Sequence, residues 1–186
     1  MKHLTSILSL LLIISVNLNA QVSKTPDFAF PQKVSRQACS SLSAALESND
    51  APATIRSLMD YALAQGAIDA DNVPGSIAKI DSVRNLPAMS PAARAMSDLL
   101  LAEIYSQLYN QNRWVYNQRE VSTIPRPANY AEWSGAQFRE CIMTLVDSAL
   151  ARQDALQATP LREWASVVSC NEDSRPCFPT LYDFAA

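Results

Sequence analysis

Apolar residues recur along this chain at intervals of three and four, the spacing of one helix face, and no stretch alternates in the manner of a half-buried strand. The first such stretch predicts a helix over 35–47, with Ala38, Leu42, Ala45 and Leu46 on one side. Asn49, Asp50, Ala51 and Pro52 break it and start the next. An Asp side chain accepts the orphan amide hydrogens of a first turn, and Pro suits a first helical position. A second helix is expected over 53–65, with Ile55, Leu58, Met59, Ala62 and Leu63 in register and Gly66 as its stop. A third covers 76–85 through Ile77, Ile80 and Val83, ahead of Leu86 and Pro87.

The stretch 99–120, LLLAEIYSQLYNQNRWVYNQRE, is the one around which the rest is organised. It belongs to the longest helix, over 92–112, capped by Ser90 with Pro91 in its first turn, and it leaves through an aromatic exit at Trp114 and Tyr116. Met96, Leu99, Leu100, Ile104 and Leu108 form its stripe, widened by Leu101, Tyr105 and Tyr109, an arc broad enough to require contact on two sides. Pro125 and Pro127 make 122–130 a loop. Ser134 then caps a fifth helix reaching about residue 157, Thr159 and Pro160 start a short sixth through Val168, and 170–177 is a polar loop. Residues 179–186 open a seventh helix with Leu181, Tyr182 and Phe184, whose apolar face calls for more chain than the sequence contains. The prediction is an all-α irregular array of antiparallel helical hairpins, with tetratricopeptide-like packing but without the consensus repeat.

Ahead of these helices, residues 1–20 have the three parts of a secretory signal: Lys2 and His3, an apolar run from Ile7 to Val16, and the small residue Ala20 at a cleavage point. An apolar run of roughly ten residues is about half a membrane span, so the segment is expected to be removed and not to anchor the chain. No Cys follows Ala20, which argues against lipidation, and the product is expected in the periplasm or cell envelope with no stable membrane insertion. Residues 21–34 read as an extended tail, with Pro26 and Pro31 framing Phe28 and Phe30, and 35–186 as one helical domain cut short at its C-terminal end. Removing the signal leaves 186 − 20 = 166 residues, enough for a core, and moves the net charge from −3 to −4 because Lys2 leaves. A mildly acidic chain without a Lys/Arg cluster is not expected to bind nucleic acid. Three glycines against eleven prolines suit helices separated by Pro stops better than a β-sandwich.

Candidate chemistry is sparse. The only histidine is His3, inside the signal, so the domain has no imidazole for base catalysis, a Ser-His-Asp triad or zinc. Ser76 and Lys79 match the Ser-x-x-Lys pattern of acyl-enzymes, but no Lys-Thr-Gly follows and Ser97-Asp98 runs on into Leu, so a helix cap and an exposed Lys are the plainer reading. Cys39, Cys141, Cys170 and Cys177 lack metal spacing. Cys170 and Cys177 bracket the shortest loop and are the disulfide candidate; Cys39 and Cys141 are either buried thiols or one bond between helices. Tyr105, Tyr109, Trp114 and Trp133, with Tyr116 and Tyr130, form a possible binding face, with packing against the fifth and sixth helices as the plainer reading. Glu103, Glu132 and Asp147 show no paired pattern and read as a solvated helix face. No catalytic residue, metal or cofactor is expected.

Four segments in order, LAEIYSQLYNQNRW (101–114), NYAEWSGAQF (129–138), TPLREW (159–164) and PTLYDF (179–184), resemble the N-terminal helical region of the very long alpha-2-macroglobulin family proteins of Bacteroidetes-type bacteria. The resemblance covers about residue 90 onward and implies an exported protease trap. Such a protein offers a bait segment, closes on the protease, and in many cases attaches through a thioester of a Cys-x-Glu-Gln motif. The four cysteines here stand in CSSL, CIMT, CNED and CFPT, so no functional residue of the family carries over. The resemblance implies a helical scaffold or docking module whose partner is the rest of a longer chain and, through it, proteases. A free-standing periplasmic protein- or peptide-binding module is the alternative.

Overall fold

The computed structural model describes residues 30–120, 126–168 and 178–186. Among them the protein is all-α. The helices are α1 (Pro31–Glu47), α2 (Ala51–Ile68), α3 (Val73–Arg84), α4 (Pro91–Gln111), α5 (Arg113–Asn117), α6 (Gly135–Leu150), α7 (Gln153–Gln157) and α8 (Leu181–Ala185). Single 3-10 turns stand at Ala70–Asn72, Tyr130–Glu132 and Leu161–Trp164. The one strand-like contact among the described residues is an isolated antiparallel bridge between Pro160 and Thr180.

Helix starts follow the side chains that satisfy first-turn amides. The Asp50 carboxylate accepts from the Ala53 amide at 2.9 Å and the Ser90 hydroxyl from Ala93 at 3.2 Å, each with Pro in the turn. Ser134 and Gln137 satisfy each other's backbone amides, as do Thr180 and Asp183. Asn49 takes φ 54°, the left-handed region that Asn tolerates, and so turns the chain tightly between α1 and α2.

Several boundaries differ from the sequence expectation. The first helix begins at Pro31, so 31–34, assigned to the tail, form its first turn and bury Val34. Gly66 does not stop the second helix. Its φ is not positive, and the helix runs on to Ile68, where Asp69 turns extended and its side chain accepts from the Asp71 amide. The fifth helix ends at Leu150, because Arg152 leaves helical geometry, and resumes as α7. The expected sixth helix is a 3-10 turn, and the aromatic exit is itself a short helix, α5.

The two closest helix pairings are α1 with α2 and α4 with α6. In the second, residue 98 meets residues 148 and 152 while residue 109 meets 139, so the helices run antiparallel. Helix α4 serves two apolar clusters, as its broad arc demands. The larger holds Leu58, Ile80, Ala93, Ala102, Leu156 and Leu181, all fully buried, and the smaller is aromatic. The seventh predicted helix is not left with an open apolar face. In α8, Leu181, Phe184 and Ala185 are buried in the larger cluster, against α6, α7 and the Leu161–Trp164 turn.

Candidate functional site

The expected face of Tyr105, Tyr109, Trp114 and Trp133 divides. Tyr105 and Tyr109 stand one turn apart on α4 and meet the start of α6, where Phe138 is fully buried. Around Phe138 the ring centroids lie at 4.6 Å for Tyr116, 5.1 Å for Trp133, 5.9 Å for Tyr109 and 6.5 Å for both Tyr105 and Tyr130. Tyr105 also stacks on Trp133 at 5.2 Å, and the Trp133 indole N–H donates to the Pro127 carbonyl at 2.7 Å. These rings are a packing seam between helices. Burial pushes the Tyr105 phenol up to about 12, with nearby Cys141 adding to the shift, so it stays neutral. Trp114 stands apart from the seam, 78% exposed on α5 beside half-exposed Val115, while Tyr116 on the same helix faces inward.

Polar groups lock the seam's outer edge. The Tyr109 hydroxyl donates to the Asn117 Oδ1 at 3.0 Å and accepts from the Arg139 guanidinium at 3.0 Å. A Cβ on Gly135 would stand 2.1 Å from that Asn117 oxygen, so glycine leaves room for the Asn117 side chain to reach the Tyr109 hydroxyl. Three guanidinium groups lie over rings: Arg126 on Trp133 at 4.7 Å, Arg119 on Tyr116 at 5.1 Å and Arg139 on Tyr109 at 6.0 Å. Arg119 also donates to the backbone carbonyls of Ala131 and Trp133.

A second polar assembly lies in the core. Asp98 on α4 is fully buried; Oδ1 accepts from Arg84 at 2.5 Å, and Oδ2 from Arg152 at 2.7 Å and the Ser148 hydroxyl at 3.0 Å. Arg84 also reaches Asp81 at 2.5 Å, so one carboxylate ties α3, α4 and the end of α6 together. The sequence brought Asp98 forward only beside Ser97 in the acyl-enzyme comparison and gave it no place in the core. The available signal was its place on the apolar arc, three before Leu101 and four before Ala102, both buried.

Glu103, expected on a solvated face, is only 8% exposed, a correction that follows from α4 being packed on more than one side. Its Oε1 accepts from Gln107 at 2.6 Å, Oε2 has no partner among the described residues, and desolvation raises the carboxyl above its usual range, partly offset by Gln107. Ser76 is buried and its hydroxyl donates to the Asn72 carbonyl at 3.4 Å, whereas Lys79 lies 4.7 Å from the Tyr61 ring centre. Each side chain of the Ser-x-x-Lys pattern thus has a structural partner of its own.

Cys39 on α1 and Cys141 on α6 are both free thiols and not one bond between helices, but only Cys141 is buried, Cys39 being half-buried. Cys141 is buried in the aromatic seam, and burial pushes its thiol up. The disulfide candidate Cys170 and Cys177 lies outside the described residues. No group of three or more His, Cys, Asp or Glu side chains placed to hold a metal occurs among the described residues. Nor is any described helix long and apolar enough to cross a membrane. Comparison with protein-family models, with characterised proteins and with solved structures finds no match.

Proposed function

We propose that the chain is an exported, non-catalytic helical module, the N-terminal scaffold or docking portion of an alpha-2-macroglobulin-like protease trap. The carrying observation is how the four segments of the resemblance associate. Segment 101–114 packs on 129–138 through Tyr105 on Trp133 and Tyr109 on Phe138. Segment 159–164 is bonded to 179–184: the Leu161 amide donates to the Pro179 carbonyl at 3.1 Å and the Leu181 amide to Thr159 at 3.0 Å. The four segments therefore form two joined pairs, an arrangement that suits a single helical scaffold. The polar side chains that invite catalytic readings, Asp98 and Ser76, are engaged within the fold, which supports a scaffold over an enzyme.

The test is the native product. Antibody against this chain should recover, from the periplasm or envelope, a much larger polypeptide beginning near Gln21 and continuing into macroglobulin-type β domains. A native mass equal to residues 21–186 alone would overturn the trap reading. The outward Trp114 and Val115 favour the second reading in that event, a free-standing module that binds a protein or peptide.

A further inference from the structure

The break between α6 and α7 has no cause in the local sequence. Residues 148–157, SALARQDALQ, contain no Pro, Gly or β-branched side chain and are mainly strong helix formers. Interruptions of a helix trace to Pro, to Gly or to a group inserted into its hydrogen-bond ladder. Here the inserted group is a side chain of the helix itself. The Arg152 amide donates to the Ala149 carbonyl, three residues back, at 3.1 Å. The Ser148 carbonyl, which that amide would meet in a continuous helix, accepts from the Arg152 guanidinium instead. The same guanidinium is turned toward Asp98, whose Oδ2 accepts from it at 2.7 Å and from the Ser148 hydroxyl at 3.0 Å. Arg152 takes φ −92° and ψ 34°, and α7 begins with no side-chain cap. The amides of Gln153, Asp154 and Ala155 have no acceptor among the described residues. A continuous helix would satisfy all three on the carbonyls of Ala149, Leu150 and Ala151. The bend therefore opposes local preference and is held by distant contacts, Asp98 on α4 and the core around fully buried Leu156. Such conflict between local and global preference marks strained or functional points of a fold.

We infer that Arg152 is a hinge with two states, latched by Asp98. In the bent state Asp98 holds the guanidinium and Leu156 fills the core. In the straight state residues 135–157 form one helix, and α7 leaves the core together with the Leu161–Trp164 turn that follows it. The buried carboxylate on α4 thus sets the direction in which the chain leaves α6. The device is independent of whether the chain belongs to a protease trap or stands alone.

Thiol alkylation of the full chain, read peptide by peptide in a mass spectrometer, tests it. Leu156→Cys places a thiol that reacts only when α7 leaves the core, and native Cys141, buried in the seam, is the internal reference. Adding Arg152→Met keeps a helix former at the hinge and removes the latch. It should speed alkylation at residue 156 about tenfold, the worth of a hydrogen bond between charged groups, and leave Cys141 unchanged. Adding Asp154→Pro as well should cancel that gain. Pro is tolerated in the first turn of α7, as Pro52 and Pro74 are at the second positions of α2 and α3, but not inside a continuous helix, where it also removes the bond to Leu150. No acceleration by Arg152→Met, or acceleration that Asp154→Pro leaves intact, would overturn the inference. So would equal acceleration at Cys141, because Arg152 would then hold the whole core and not one hinge.

Discussion

Replacing Asp98 by Asn keeps the shape of the buried node but removes the charge that joins Arg84 to Arg152. Both arginines then lie partly buried beside a neutral amide, and breaking such a pair costs about 3–5 kcal/mol. Urea unfolding of Asp98→Asn should show that loss, and Asp98→Leu should lose at least as much. Glu103 runs in the opposite direction. Burial raises its folded carboxyl above the ordinary value of 4.5, so its stabilising contribution is complete below the unfolded value and is lost as pH rises through the folded one. Glu103→Gln should therefore raise stability at neutral pH, by about 1 kcal/mol for relief of an unsatisfied buried group, with the gain shrinking toward pH 4. Urea midpoints at the two pH values decide it; a gain that grows on acidification would contradict the assignment.

At the scale of the helix, two glycines have opposite duties. Gly66 lies inside α2 with nothing within 4 Å of a Cβ and no positive φ, so Gly66→Ala should stabilise by about 0.5–1 kcal/mol. Gly135 opens α6 where the tip of the exposed Asn117 side chain presses in, so Gly135→Ala should swing Asn117 away from the Tyr109 hydroxyl and destabilise by about 1 kcal/mol, the worth of that hydrogen bond. Adding Asn117→Ala should then cost little more, a non-additivity visible in a double-mutant cycle. Three helix starts were legible because Asp50, Ser90 and Ser134 act on amides three residues away, a local event, whereas the starts at Pro31 and Val73, which have no side-chain cap, lie earlier than the pattern places them. Helix ends were less so. Gly66 suggested a stop that the fold does not use, and the break at Arg152 coincides with a reach to Asp98, fifty-four residues earlier in the chain.

For the whole molecule, the all-α class and the central place of α4 followed from its wide apolar arc, whereas the closure of the core did not. Packing against segments distant in the sequence is what buries Phe184 and Leu181, and no local pattern reports it. Of the candidate face, periodicity placed Tyr105 and Tyr109 together. It gave no sign that Trp133 joins them while Trp114 turns outward. Phe184→Ala should cost about 3–5 kcal/mol, because a buried aromatic leaves a cavity in the larger cluster, and the thermal midpoint should fall by several degrees. Only a small loss would mean that α8 rests on the core without closing it.

The three tryptophans divide the molecule optically. Trp114 lies in water, Trp133 is sealed in the aromatic seam and Trp164 in the main core, at 78%, 4% and 2% exposure. Trp114 should emit at long wavelength and be open to iodide quenching, and the other two should emit at shorter wavelength behind a protein shield. Variants retaining one indole each would resolve, without any external label, whether the seam and the core open together or in sequence.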